Sequence, residues 1–375
     1  MDQSSTSDTS SHQGDQKGGE PRSRARVTLS VWLCSGAVIA YLCRNSLAVA
    51  EKTIRLDLDI SEETMGFILG PAFFWSYALF QIPGGLLGKK FGSRRWLPIF
   101  SAVSAGATML LAVASGMVGL LAARIGTGVA QAGQFPCSAI AITKWFPRGE
   151  RALTSGLLGA SMSVGGAIGA ALTGELLEIT NWRVMMALYA TPGLIWAIGF
   201  RLWFRETPNE HPSANPAEVA YIQDDVDRPE NRESDSGSKT APSNASWLLL
   251  MLRMSFWLIC GQQFFRAAGY AFFSSWFATY LQETRGVSTA KSGWLLTIPL
   301  IASVLAAVLG GGVSDFVYRR TGRLTLARSG LAAASLLICT LLVFSAWFVQ
   351  DATAATIVIS AGAFCAAVAG PCAYA

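Results

Sequence analysis

The chain has 375 residues, of which 51% are hydrophobic and only 14% are charged, with a formal net charge of +5 at pH 7. Soluble globular proteins carry roughly 25% charged residues, so this composition excludes an ordinary soluble domain and indicates a membrane protein. The cysteines form no Cys-x-x-Cys pair and only two histidines occur, so neither a disulfide framework nor a zinc or other metal site is indicated.

Apolar segments separated by polar loops predict an all-α polytopic membrane protein. Residues 1–26 are polar and are predicted to form a disordered tail. A helix needs roughly 20 apolar residues to cross a bilayer, and six runs of about this length follow: 27–50, 65–88, 96–115, 117–143, 153–175 and 184–204. Residues 205–246 are rich in Pro, Ser, Asp and Glu and are predicted to be a linker. Four more runs follow it: 250–281, 292–317, 327–349 and 352–375.

Basic residues are distributed unequally between the two sets of loops. One set contains a cluster at 89–95, a second cluster at 144–151 and the pair Arg319 and Arg320, whereas the other set has few lysines or arginines. Because cytoplasmic loops are enriched in Lys and Arg, we predict that the N-terminus and the 205–246 linker are cytoplasmic. The spans then divide into a six-helix bundle at 27–204 and a four-helix bundle at 247–375.

Two loops repeat the same pattern, each after the second span of its bundle. The first loop runs from Gly85 to Arg95 and the second from Gly311 to Gly322. Parallel internal repeats are typical of transporters built from two bundles. The repeat therefore predicts a transporter built from two bundles.

The motifs in these spans and loops resemble the major facilitator superfamily, and within it the anion:cation symporter branch of hexuronate, glucarate and galactonate carriers. The residues that carry the resemblance are Tyr41-L-C-Arg44-N-S, the loop beginning Gln81-I-P-G-G, Arg124-I-G-T-G-V-A-Gln131, Trp276-F-A-T-Y-L and Gly311-G-V-S-Asp315. The resemblance implies two bundles of six spans. This chain supplies six and four, so we expect a sequence that stops within span 10. The resemblance also implies that the two repeated loops control gating, through Gly85, Lys89, Lys90, Gly92 and Arg94 in the first and Asp315, Arg319 and Arg320 in the second.

Three arginines lie inside apolar runs and are candidates for substrate binding: Arg44, Arg124 and Arg266. An arginine at a helix centre costs about 3 kcal/mol on insertion scales, so we expect all three to face the protein interior or water. Spans 1 to 10 offer no deep carboxylate to pair with them. An unpaired positive cavity calls for an anion, and the planar guanidinium suits carboxylate or phosphate.

Neighbouring polar residues on the same helix faces extend this candidate site. Helical spacing places Gln262, Arg266 and Tyr270 on one stripe, and Arg124 and Gln131 on another. The resemblance implies that Tyr41, Arg44, Tyr77, Arg124 and Arg266 match substrate-site residues of the family. Alternatives remain for these residues: Arg124 could bind backbone carbonyls as a structural residue, Arg266 could be a packing or gating arginine, and Arg44 could be purely structural. Tyr77 and Tyr270 could be ordinary packing aromatics. The clusters at 73–75 and 272–273 are predicted to be core or lipid-facing.

The sequence departs from the sugar-acid carriers at the positions expected to carry protons. Cys43 and Gln131 stand where the resemblance implies acids, and Lys89 replaces an aspartate of the loop motif. A thiol with an ordinary pKa of about 8.5 and an amide cannot serve as proton carriers at neutral pH. We therefore expect altered coupling: uniport, exchange, or a proton or sodium ion bound elsewhere.

The predicted function is secondary transport of organic anions, such as sugar acids, across the inner membrane by alternating access. A phosphate or sugar-phosphate carrier fits the arginines equally well, and a non-transporting membrane sensor is a further alternative. No nucleophile–base pair, metal cluster or phosphate-binding loop suggests an enzyme. We expect no cofactor and no nucleic-acid partner.

Overall fold

The computed structural model describes residues 22–227, 251–323 and 326–374, and the regular secondary structure within these ranges is helical. Most of the predicted N-terminal tail and residues 228–246 of the predicted linker lie outside the described residues. Seven helices in the described part are long and apolar enough to cross a membrane. Helices also occupy the positions of the other predicted spans, but the count of ten stays a prediction.

The first half of the chain forms seven helices: α1 (Ala25–Asp57), α2 (Glu62–Leu69), α3 (Pro71–Phe91), α4 (Ser93–Val113), α5 (Met117–Trp145), α6 (Arg148–Ile179) and α7 (Trp182–Trp203). Helix α1 packs along α6, α3 packs along α5, and α4 lies between α5 and α7. Two buried hydrophobic clusters fill this bundle, one near each end of α1.

Helix α8 (Pro216–Asp227) follows within the predicted linker. The second half then contains α9 (Met254–Ser275), α10 (Phe277–Glu283), α11 (Thr289–Thr321), α12 (Leu331–Ser345) and α13 (Ala352–Tyr374). Helix α13 packs against both α11 and α12. Contact between the two halves runs mainly along α6 and α11, with α10 touching α1. A third apolar cluster, which includes Val49, Ala170 and Phe277, spans this contact.

Helix α1 continues to Asp57, seven residues past the end of the predicted first span. The polar residues after Ala50 remain helical because they find partners. Arg55 Nε donates to Glu51 Oε1 at 2.9 Å within the same helix, and Thr279 Oγ1 of α10 donates to Glu51 Oε2 at 2.6 Å. Hydropathy alone could not predict this extension of α1, because Arg55 is charged and Thr279 is distant in sequence.

The second predicted span is divided at Gly70 into α2 and α3, and the seventh is divided at Trp276 into α9 and α10. Pro71 lacks a backbone N–H and is well suited to the first position of a new helix, so it explains where α3 begins.

Residues 205–227 also differ from the predicted linker, because this segment folds against the first bundle. There the buried Glu218 accepts hydrogen bonds from the Arg26 backbone and side chain, both at 3.3 Å, and Tyr221 donates to Glu150 at 3.1 Å.

Helices α1 and α6 approach closely enough for their backbones to touch. A Cβ atom added to Gly165 would lie 2.3 Å from the carbonyl oxygen of Val38, and one added to Gly169 would lie 2.7 Å from that of Leu42. Small residues allow such close packing between membrane helices. Gly159, on the same helix, has open space around it.

We predict that Gly165→Ala lowers the stability of the purified protein by about 1–3 kcal/mol, the usual cost of overpacking. Gly159→Ala is the matched control, because it makes the same change in the same helix without a steric clash. It should be neutral or stabilising by up to about 1 kcal/mol, owing to the better helix propensity of alanine. Thermal unfolding in detergent measures both, and equal effects of the two substitutions would contradict the close packing of α1 on α6.

Candidate functional site

A cleft inside the first bundle contains four of the residues predicted to bind substrate. It encloses about 530 Å³, part of it open to solvent, between α1, α3, α4, α5, α6 and α7. Tyr41, Arg44, Tyr77 and Gln131 line it, so the structure brings these four residues together, while substrate binding by them stays a prediction. The remaining polar side chains of the lining are Ser101, Gln134 and Ser138.

Arg44 is the cationic residue of this cleft, and its side chain is held by aromatic rings. It is only 7% exposed. Its guanidinium carbon lies 4.3 Å from the ring centroid of Phe73, and the rings of Tyr41, Phe74 and Tyr77 are within 6 Å. Arg44 Nη1 donates to Tyr41 Oη at a long 3.5 Å. Desolvated cation–π contacts contribute about 2 kcal/mol, so these rings offset part of the cost of burying the charge.

Arg124 lies beside Arg44 but does not line the cleft. Its guanidinium carbon is 4.5 Å from the centroid of the same Phe73 ring, and its Nη2 donates to the carbonyl oxygen of Leu69 at 3.3 Å. Leu69 is the last residue of α2, and the last carbonyls of a helix lack intrahelical partners. The geometry therefore matches the structural alternative for Arg124, in which the side chain completes a broken helix.

The two arginines lack acidic partners in the described part of the chain. Neither Arg44 nor Arg124 forms an ion pair there with an Asp or Glu. A buried cation without a counter-charge is costly, and Arg44 is the one of the two that reaches the cleft. An anion entering the cleft would supply the missing partner.

Gln131 and Cys43 occupy the positions where the resemblance implies acids. Gln131 Nε2 donates to the Ala40 carbonyl oxygen at 3.1 Å, while its buried Oε1 has no hydrogen-bond partner among the described residues. Cys43 does not line the cleft, and its thiol instead donates to the carbonyl oxygen of Tyr189 at 3.3 Å. Gln131 can thus orient a substrate, whereas Cys43 is a packing residue between α1 and α7.

The sequence missed several residues of this site. Phe73 and Phe74 were predicted to be core or lipid-facing; Phe73 is fully buried, as the core alternative states, but its ring also supports both arginines. Gln134 and Ser138 lie three and seven residues after Gln131, so they share its helix face. That spacing was the signal that could have identified them.

The site residues predicted in the second half are only partly described. Gln262 lies on α9 and is half-buried. Arg266 and Tyr270 belong to the same helix, but their side chains lie outside the described part of the structure. The convergence of all three arginines therefore stays a prediction.

The first predicted gating loop joins α3 to α4 and is fixed by a carboxylate from the end of α7. Glu206 accepts hydrogen bonds from the backbone amides of Ser93 and Arg94 at 3.1 and 2.9 Å, and from Lys144 Nζ at 2.7 Å. Gly92 has a φ of +86°, and a Cβ there would lie 2.8 Å from Glu206 Oε2. Glycine is therefore required both by its backbone and by its neighbour.

The rest of the predicted gating residues are more exposed. Gly322, which follows the second basic pair, has a positive φ of +63°, as Gly92 does in the first loop. The two repeated loops therefore share this backbone conformation. Arg319, Arg320, Lys89 and Lys90 are exposed, and Gly85 packs near Pro136. The side chain of Asp315 lies outside the described part of the structure.

The two halves meet at the C-terminal ends of α1 and α6. Arg55 of α1 forms an ion pair with Glu283, and Gln282 Nε2 donates to the Val49 carbonyl oxygen at 3.3 Å. On α6, Glu175 accepts a hydrogen bond from Trp294 Nε1 at 2.7 Å. The cleft with Arg44 lies toward the opposite, N-terminal half of α1.

A family model described as Major Facilitator Superfamily matches residues 33–375. The chain belongs to the major facilitator superfamily. Its fold also resembles solved transporters of that architecture. A bacterial homologue of the human lysosomal transporter Spinster, in an inward-facing and unoccupied conformation, gives a TM-score of 0.70 at 22% identity, over 95% of this chain and 75% of that one. A D-xylose–proton symporter gives a TM-score of 0.65 at 14% identity, over 92% and 80%.

Curated relatives within the superfamily carry names of organic-acid transporters. The chain is 31% identical to a D-galactonate transporter of Escherichia coli, over 86% of this chain and 74% of the relative. It is 29% identical to a probable sulfoacetate transporter of Cupriavidus necator, over 88% and 75%. A hexuronate transporter of Bacillus subtilis is 31% identical over 80% and 67%. Membership of this superfamily and these relatives make the chain a transporter rather than an enzyme.

We predict that Glu206 stabilises this superfamily member in a pH-dependent way. Burial alone would raise the pKa of Glu206, but the hydrogen bonds from Lys144 and the two backbone amides lower it overall. A carboxylate with a lowered pKa stabilises the fold above its unfolded pKa of about 4.3 and loses that contribution as the pH falls through the folded value.

The test compares the unfolding temperatures of the wild type and Glu206→Gln in detergent. The variant should be less stable at pH 7, and the difference should shrink below about pH 4 as the native carboxylate is protonated. Glu210→Gln, which removes a neighbouring exposed carboxylate, is the control. If the difference in unfolding temperature between the wild type and Glu206→Gln is independent of pH, the charge of Glu206 does not stabilise the loop.

Proposed function

We propose that the protein is a secondary transporter of small organic anions and that Arg44 binds the carboxylate of the substrate. The observation that carries this proposal is the buried guanidinium of Arg44, exposed to a cleft and without a carboxylate partner among the described residues. A planar guanidinium binds carboxylate through two parallel hydrogen bonds, which add both energy and geometric specificity.

The remainder of the cleft suits a hydroxylated acid. Gln131 Oε1 is a buried acceptor without a partner in the part of the chain that the structure describes, and the Tyr77 hydroxyl and Gln134 amide provide further hydrogen-bonding groups. Such groups recognise hydroxyls and reject analogues that lack them, because the buried polar atoms would be left unpaired. The names of the galactonate and hexuronate relatives support a sugar acid as the substrate class.

The arrangement of the two halves supports alternating access. The halves touch at the C-terminal ends of α1 and α6, whereas the Arg44 cleft lies toward the N-terminal half of α1. The positive-inside rule assigns the N-terminus and the 205–246 segment to the cytoplasm of an inner-membrane protein. In this orientation the conformation is closed on the outer side, and the substrate would enter or leave from the cytoplasm.

We predict that Arg44→Gln abolishes stabilisation by sugar acids, whereas Arg124→Gln preserves it. A ligand at 100 times its dissociation constant raises stability by about 2.7 kcal/mol, and removing Arg44 should eliminate this shift. Arg124→Gln removes the donor to the Leu69 carbonyl, so it should lower the unfolding temperature of the unliganded protein while the ligand-induced shift remains. Thermal unfolding with a panel of sugar acids, dicarboxylates and phosphates measures both effects.

The same panel separates the competing functions. A rise in unfolding temperature with phosphates alone would favour a phosphate or sugar-phosphate carrier. A sugar-acid carrier requires a rise with carboxylates that lack phosphate. Uptake into proteoliposomes then distinguishes transport from sensing. Binding without any substrate flux would contradict the transporter function.

We predict that transport does not carry a proton through position 43 or 131, because Cys43 is a packing residue and Gln131 is an amide. Cys43→Ala should leave the rate of sugar-acid uptake into proteoliposomes, and the dependence of that rate on the pH gradient, unchanged. Measurable proton influx that accompanies substrate, and that Cys43→Ala removes, would overturn this coupling assignment.

A further inference from the structure

A groove on the outside of the first bundle combines an apolar wall with two cationic residues at its mouth. It lies between α4 and α7 and encloses about 1080 Å³, open along one side. The apolar lining consists of Pro98, Ile99, Ala102, Ala197, Ile198 and Leu202, with Arg95 and Arg201 completing it. We call this feature the α4–α7 groove.

The lining follows helical spacing on both helices. On α4 the residues are 95, 98, 99 and 102, and on α7 they are 197, 198, 201 and 202. These intervals of three and four residues place each set on one helix face. Each face therefore begins with an arginine at the predicted cytoplasmic end and continues into the membrane as an apolar strip.

A second pocket adjoins the groove and shares both arginines. Its wall contains Lys89, Lys90, Arg94, Arg95, Lys144 and Arg201, with only Glu206 and Glu210 as acidic members. We call it the basic pocket. Arg95, Arg201, Lys89 and Lys90 are exposed and form no ion pair with any described carboxylate. Positive charge therefore exceeds negative charge at the head of the groove.

The electrostatics of Arg94 reflect this excess. The guanidiniums of Arg205 and Arg201 lie near that of Arg94. Its Nε is buried and has no hydrogen-bond partner among the described residues. The region thus holds several cations close together, a donor without a partner, and one paired lysine, Lys144, that is already bound to Glu206.

We propose that the α4–α7 groove and the basic pocket together bind one anionic phospholipid of the cytoplasmic leaflet. Arg95 and Arg201 would contact the phosphate, and an acyl chain would lie along the strip from Ile99 to Ala102 and Ile198. Basic pockets between membrane helices on the cytoplasmic side are suited to anionic headgroups. The combination of the two pockets favours a lipid, because a soluble anion would occupy the basic pocket but leave the apolar groove empty.

This site is separate from the Arg44 cleft. The cleft is lined by Leu97 and Ser101 of α4, whereas the groove is lined by Pro98, Ile99 and Ala102, and the two linings share no residue. Lipid binding can therefore be tested without reference to the transported substrate. It does not rest on the proposed function.

The experiment is native mass spectrometry of the full chain, purified in a non-ionic detergent and supplied with phosphatidylglycerol or phosphatidylcholine. The wild type should retain one phosphatidylglycerol in preference to phosphatidylcholine. Arg95→Gln/Arg201→Gln should weaken phosphatidylglycerol retention by at least about tenfold, given the contribution of each basic residue near a membrane surface. Arg319→Gln/Arg320→Gln removes the same charge on the same predicted side and should leave retention unchanged.

Two further arms distinguish the acyl-chain groove from a simple charge effect. Ala102→Trp fills the groove while keeping both arginines, and it should reduce retention of phosphatidylglycerol. Inorganic phosphate and glycerol phosphate should not displace the lipid at matched concentration. Unfolding temperatures verify that each variant is folded.

Several results would overturn the proposal. These are equal retention of the two lipids, equal losses in the two double-arginine variants, or displacement by inorganic phosphate, which would indicate a soluble-anion site. A phosphatidylglycerol signal that Ala102→Trp leaves intact would limit binding to the basic pocket. A dimer that dissociates in Ala102→Trp would identify a second copy of the chain as the occupant instead.

Discussion

The burial of one unpaired guanidinium, that of Arg44, constrains much of the first bundle. Moving an arginine into a helix centre costs about 3 kcal/mol on insertion scales, and no described carboxylate offsets that cost here. Aromatic rings surround the guanidinium instead of a carboxylate, and the nearest ring centroid, that of Phe73, lies 4.3 Å from its carbon. Because Phe73 also contacts Arg124 at 4.5 Å, the position of the charge that faces the cleft is tied to the helix break at Gly70.

That helix break explains why two arginines of similar sequence context have different surroundings. Both lie in apolar runs, and hydropathy cannot separate them. Arg124 reaches the carbonyl of Leu69 only because α2 ends there, before Pro71 begins α3. Pro71 was visible in the sequence, but the identity of the group that would satisfy the freed carbonyl depends on how α5 packs against α2 and α3. Tertiary packing, not local pattern, decides the role of Arg124.

Hydropathy and spacing along a helix predicted the helices, the repeat and the cleft residues Arg44 and Gln131, whereas Tyr41 and Tyr77 were implied by the resemblance to the family. The sequence could not predict that residues 205–227 fold against the first bundle. Their composition is polar, and the order comes from distant partners such as Glu218 with Arg26. The extension of α1 to Asp57 was not predicted for the same reason, because the hydrogen bond from Thr279 of α10 to Glu51 joins residues distant in sequence. Polar contacts between distant residues leave no periodic signal.

An unpaired cation in the cleft also constrains how the proposed transport cycle can proceed. When the empty protein changes conformation, Arg44 must pass through an occluded state in which its charge is desolvated without a counter-ion. When the substrate is bound, its carboxylate forms a pair with the guanidinium, so the same step moves a neutral complex. Coulomb attraction strengthens as water is excluded, so the loaded protein crosses more easily than the empty one. On the proposed function, this asymmetry favours exchange of one anion for another over net uniport, and it does so without a protonatable residue at position 43 or 131.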